Sequence, residues 1–103
     1  NMTYIEALNK FVETIDTEIK QHYKEMGFSR EGEDIKINTG RRFDKITTDR
    51  SVYCFVEKDT GYIFKAATWR APQLKTKNPV RGSIFETSTY EGKRLQGTGW
   101  LYQ

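Results

Sequence analysis

Residues Ser51–Glu57, SVYCFVE, form a strand pattern that is apolar on both sides. Side chains alternate between faces along a strand, so Val52, Cys54 and Val56 are expected on one face and Tyr53 and Phe55 on the other. A strand with two apolar faces belongs in the middle of a sheet and needs cover on both sides. That requirement constrains the whole chain, because 103 residues hold one domain, 1–103, with one modest core. Aromatic residues make up 14% of the chain, and each buries a large area, which offsets a hydrophobic fraction of only 36%.

One cover is legible. Thr3-Tyr4-Ile5-Glu6 is a capping box, in which the Thr3 hydroxyl accepts from the Glu6 amide and Glu6 reaches back to the Thr3 amide. Ile5, Leu8, Phe11/Val12, Ile15, Ile19, Tyr23 and Met26 then recur at intervals of three and four, the spacing of one helix face. Gly27 supplies the left-handed stop. These signals predict a helix over 2–26, long enough for one end to overhang a small sheet or meet a partner.

A meander over 34–69 follows. Ile35 and Ile37 alternate with polar residues, Asn38-Thr39-Gly40 supplies a turn, and 41–48 is a second strand anchored by Phe43 and Ile46. Asp49-Arg50 turns the chain into Ser51–Glu57. Lys58-Asp59-Thr60-Gly61 is a strong hairpin turn, with Gly61 free to take positive φ, and it leads into a fourth strand over 62–69. The pattern does not decide whether Ile63 or Phe64 shares the Tyr53/Phe55 face. A loop over 70–82 carries Pro72 and Pro79. An arm over 83–103 opens on a short strand at Ser83–Phe85 and ends on Trp100-Leu101-Tyr102, a triplet expected to dock on the face the helix leaves open. The fold class is therefore α+β: a long N-terminal helix on a four-stranded antiparallel meander, with a C-terminal strand or arm.

Catalytic groups are sparse. Cys54 is the only cysteine, so the chain has no internal disulfide, and the thiol reads as a small buried hydrophobe. His22 is the only histidine and sits late in the helix, where a solvent-facing position beside the negative helix end is expected. No metal-ligand spacing appears, and Gly97-Thr98-Gly99 is too short for a phosphate loop. The expectation is a non-enzyme without cofactor. No apolar run approaches the roughly 18–20 residues that span a bilayer, and no signal-peptide pattern is visible, so no membrane partner is expected. Asn1 ahead of Met2 reads as an appended residue, with the native start expected at Met2.

Charge is unevenly placed. Residues 1–34 hold eight acids and four bases, whereas 35–103 hold thirteen bases and six acids. From Tyr62 to Phe85 there are five bases, Lys65, Arg70, Lys75, Lys77 and Arg81, and no acid, with Trp69 among them. Bases neutralise phosphates, and flat aromatic rings stack on unpaired nucleobases. Arginine favours bidentate phosphate contacts, and the two prolines lower the ordering cost of binding. The candidate nucleic-acid-binding residues are Lys65, Trp69, Arg70, Lys75, Lys77 and Arg81, with Arg41, Arg42 and Arg50 as extensions. Trp69 follows Ala66-Ala67-Thr68 at a strand end and can equally cap the core.

The segments Val52–Glu57, Lys65–Trp69 and Arg81–Phe85, read as VYCFVE, KAATW and RGSIF, resemble a motif of small uncharacterised proteins of tailed bacteriophages. In that motif a Tyr-Cys-Phe strand leads through a turn into Lys-Ala-Ala-(Ser/Thr)-Trp, a basic Pro-Ala loop and an Arg-Gly-(Asn/Ser)-Ile exit. The resemblance covers about a third of the chain, and Gln73–Asn78 is longer than the usual linker. It implies a phage accessory protein made in the host bacterial cytoplasm, and it transfers no binding or catalytic residue. The expected function is nucleic-acid binding through the basic loop. The alternatives are a protein-interaction module, acting on a host protein or in assembly as a homo-oligomer, and a pocket for a small phosphorylated ligand.

Overall fold

Helix α1 spans Tyr4–Met26 in the computed structural model, which describes residues 1–103. Thr3 caps it with both bonds of the capping box, and Gly27 closes it at φ 72°. Ala7, Leu8, Phe11, Ile15 and Ile19 are its buried residues. Two expected members of the stripe lie outside it: Ile5 and Met26 are 61% and 58% exposed. Ile5 sits about a sixth of a turn off the line of Leu8, Ile15 and Ile19. Met26 lies beyond Ile19, the last buried helix residue, so the final helical turn overhangs the core.

Five strands form one antiparallel meander in sequence order: β1 Ile35–Thr39, β2 Phe43–Thr48, β3 Ser51–Glu57, β4 Tyr62–Phe64 and β5 Gly82–Ser83. The chain thus has one strand more than a four-stranded meander, because Gly82–Ser83 pairs with β4. β4 ends at Phe64 instead of Trp69, since the following residues turn back on themselves. Gly61 takes φ 74° in the β3–β4 turn as its sequence requires.

β3 is central and buried on both sides, but its faces differ from simple alternation. Ile46 pairs with Cys54 and Thr47 pairs with Val52, so Tyr53 has no partner across the ladder and forms a β-bulge. The extra residue brings Tyr53 to the helix side with Cys54 and Val56 and moves Val52 to the far side with Thr47. The helix-side core accordingly joins Leu8, Phe11, Ile15 and Ile19 to Ile46, Tyr53, Cys54, Val56 and Ile63. Tyr90, Leu95, Trp100 and Leu101 belong to the same cluster. The C-terminal arm therefore docks beside the helix and not on the opposite face, and Tyr102 stays exposed.

The far face carries Phe43, Lys45, Phe55 and Phe64, placed there by the pairs Lys45↔Phe55 and Phe55↔Phe64. Phe43 meets Phe55 and Phe64 edge to face, with centroids 6.2 and 5.8 Å apart. Phe55 and Phe64 are buried although they lie outside the helix-side cluster.

Candidate nucleic-acid interface

The segment after β4 builds its own small hairpin. Ala66 bridges Pro72, the Gln73 amide donates to the Lys65 carbonyl at 2.8 Å, and the Ala67 and Thr68 amides both donate to the Ala71 carbonyl. The Thr68 hydroxyl accepts from the Arg70 and Ala71 amides at 3.2 and 3.1 Å, which tightens the tip. Trp69 and Arg70 sit at that tip, both exposed.

Trp69 is held from beneath by Lys45. The Lys45 ammonium lies 4.1 Å from the ring centroid and donates to the Trp69 carbonyl at 3.1 Å. Lys45 shares the far face with Phe55, so the hairpin folds back over that face and supplies cover there. A second pair sits at the base of the same hairpin: the Lys65 ammonium is 4.9 Å from the Tyr102 ring, and the Tyr102 hydroxyl is 3.5 Å from the Ala66 carbonyl. Trp69 and Tyr102 are 51% and 52% exposed. Each ring is thus backed by a cation and remains half open to solvent, which leaves aromatic surface for a planar partner.

The surrounding charge is uncommitted. The ion pairs of the chain are Asp16–Lys20, Arg30–Asp49 and Arg42–Glu57, and none uses a base of the 62–85 segment. Lys75 and Lys77 are exposed on the outer limb, where the Lys75 amide donates to the Gln73 side chain. Arg81 stands at the β4 edge: its amide donates to the Ile63 carbonyl at 2.7 Å and its guanidinium to the Asn78 carbonyl at 3.0 Å.

Of the six residues expected from the sequence, the fold gathers Lys65, Trp69 and Arg70 into one hairpin, with Lys75, Lys77 and Arg81 on its exit limb. Lys45 and Tyr102 were not expected there. Lys45 reads as an ordinary strand residue until its register opposite Phe55 is known, and Tyr102 reads as a terminal core residue. Arg42 is tied to Glu57 and covers the Phe43 ring at 4.8 Å, and Arg50 lies in a separate hollow with Arg30, Asp34 and Asp49. Cys54 is fully buried, and burial pushes its thiol far above the ordinary range, so it presents no thiolate. His22 is half-buried and faces a cleft under the C-terminal arm. No helix is long and apolar enough to cross a membrane.

A helix packed on a five-stranded antiparallel meander makes this an α+β protein. The chain is a member of the Family of unknown function (DUF7717), whose pattern matches residues 1–102. No curated protein and no solved structure matches it.

Proposed function

We propose that this chain is a non-enzymatic nucleic-acid-binding protein, and that its target is single-stranded. The two lysine-backed, half-exposed rings of Trp69 and Tyr102 carry this reading. Unpaired bases stack on such rings for about 1–3 kcal/mol each, whereas a duplex keeps its base faces covered. Lys65, Arg70, Lys75, Lys77 and Arg81, on the hairpin and its exit limb, are cations that join no ion pair, and these meet the phosphates. The phage-like motif points to an accessory protein working in the host bacterial cytoplasm. Trp69→Ala is expected to weaken oligonucleotide binding without unfolding the chain, because the indole is half exposed. Binding that is indifferent to Trp69→Ala counts against the platform.

A second reading, self-association, is favoured by β1. This edge strand is exposed along Lys36–Thr39, pairs only with β2, and shows Ile37 at 37% exposure. Unpaired edges accept further strands. An antiparallel copy centred on Ile37 sets Lys36 against Asn38 and opposes no like charges. A monomer mass that holds across concentration, unchanged by Ile37→Lys, counts against it.

A further inference from the structure

The turn Gln96–Gly99 is clamped at both ends by one residue of the bulge. The Tyr53 hydroxyl donates to the Leu95 carbonyl at 2.7 Å and accepts from the Trp100 indole N–H at 2.9 Å. Leu95 and Trp100 are buried, so the polar turn between them stands on a fixed base. That turn and the preceding loop wall a cleft of about 570 Å³ whose lining includes His22, Lys93, Arg94, Gln96, Trp100 and Gln103. No aspartate or glutamate side chain lines it. Lys93 and Arg94 are exposed and join no ion pair. Of the lining residues, Gln96 and Gly99 have amides that donate to no backbone carbonyl, whereas the Gly97 amide reaches the Arg94 carbonyl at 3.5 Å; at Gly97 and Gly99 nothing lies within 4 Å of an added Cβ, so a ligand meets bare backbone there.

Gly97-Thr98-Gly99 is too short to hold a phosphate as an isolated loop. Its placement supplies what its length does not: the unbonded amides of Gln96 and Gly99, two cations and a pinned base border one concavity. Backbone N–H groups converging with Lys and Arg make an anion site. Across His22 and Gln96 an adjoining hollow of about 170 Å³ is lined by Glu18 and Glu25, so the positive wall ends there. We infer that the cleft binds the phosphate ester of a hydroxyl- or amine-bearing small molecule. The phosphate lies against Lys93, Arg94 and the turn amides, and the donor-rich body points toward Glu18 and Glu25. This site is separate from the Trp69 platform and stands whether or not that platform binds nucleic acid.

The test is an amide NMR titration of the full chain with ribose 5-phosphate, and with ribose as the uncharged control. The Gln96 and Gly99 amides are expected to shift saturably with the ester, at about 1 mM or tighter, and to ignore ribose. Arg94→Glu and Lys93→Glu change exposed side chains, the same spectra report their folding, and each is expected to weaken the ester about tenfold or more. Shifts that fail to saturate, an equal response to ribose, or an Arg94→Glu chain that binds as well as the parent would overturn the assignment. So would amides that move with oligothymidylate and not with ribose 5-phosphate.

Discussion

The Lys45 ammonium packs on the Trp69 ring at 4.1 Å and donates to the same residue's carbonyl at 3.1 Å. One side chain from the middle of β2 thus fixes both the ring and the backbone at the tip of the 65–73 hairpin. Lys45→Met keeps the aliphatic stem and removes both contacts. Global stability is expected to fall by about 1 kcal/mol. Amide exchange at Ala67 and Thr68 should rise by more than the global change explains. Protection at those amides equal to that of the parent would show that Lys45 does not hold the hairpin.

The bulge makes a second prediction. Tyr53→Phe leaves the ring in place but strips the Leu95 carbonyl and the Trp100 indole N–H of their shared partner. A buried donor without an acceptor costs about 1–3 kcal/mol. Chemical denaturation should show that loss, and Trp100 fluorescence should shift as its surroundings loosen. A midpoint within error of the parent would mean that water replaces the hydroxyl.

Gly61 is constrained twice. It holds φ 74°, and an added Cβ would stand 2.6 Å from the Phe85 ring. Phe85 is 43% exposed and has room to swing aside, so the backbone supplies most of the expected penalty. Gly61→Ala should destabilise by about 1–2 kcal/mol. Gly97→Ala, with open space and no positive φ, should be nearly neutral by the same urea titration.

Acid sensitivity is expected at the Asp49 turn. The Asp49 carboxylate accepts two bonds from Arg30, at 2.8 and 3.0 Å, and one from the Asp34 amide at 2.9 Å. Arg30 first, then that amide, holds its pKa down to about 2 from an ordinary 3.8. A depressed carboxyl adds stability above its unfolded pKa and loses it as pH falls through the folded value. The contribution is therefore fully present above 3.8 and gone below about 2. The site is exposed, so solvent screening keeps it small. Asp49→Asn retains the left-handed conformation seen at φ 53°, which asparagine tolerates. Its Tm should lie below the parent at neutral pH and converge with it in strong acid. A constant difference at every pH would place the effect in the backbone instead.

The sequence carried the local structure well and the long-range register poorly. Both helix caps, the Gly61 turn and the centrality of Ser51–Glu57 follow from short-range chemistry. The β-bulge does not, because a strand apolar on both faces looks the same with or without a one-residue slip. From that slip come the move of Tyr53 into the helix-side core, the clamp on Leu95 and Trp100, and the docking of the arm beside the helix. The Phe64 question was likewise one of register: Phe64 pairs with Phe55 and Ile63 with Val56, so Phe64 takes the far face. At the platform, Trp69 and its basic neighbours were visible in one contiguous segment. Lys45 and Tyr102 come from residues 24 and 33 positions away, and only the folded hairpin brings them in.

Nucleic-acid binding is best decided by fluorescence anisotropy of labelled single-stranded DNA and RNA, with duplexes alongside and across a salt series. Micromolar or tighter binding to single strands is expected at low salt. Affinity should fall steeply with salt, with a log–log slope of about −0.7 for each phosphate neutralised. It should also drop for Trp69→Ala and for Lys65→Glu. No binding at low salt, or binding that ignores both substitutions, would contradict it.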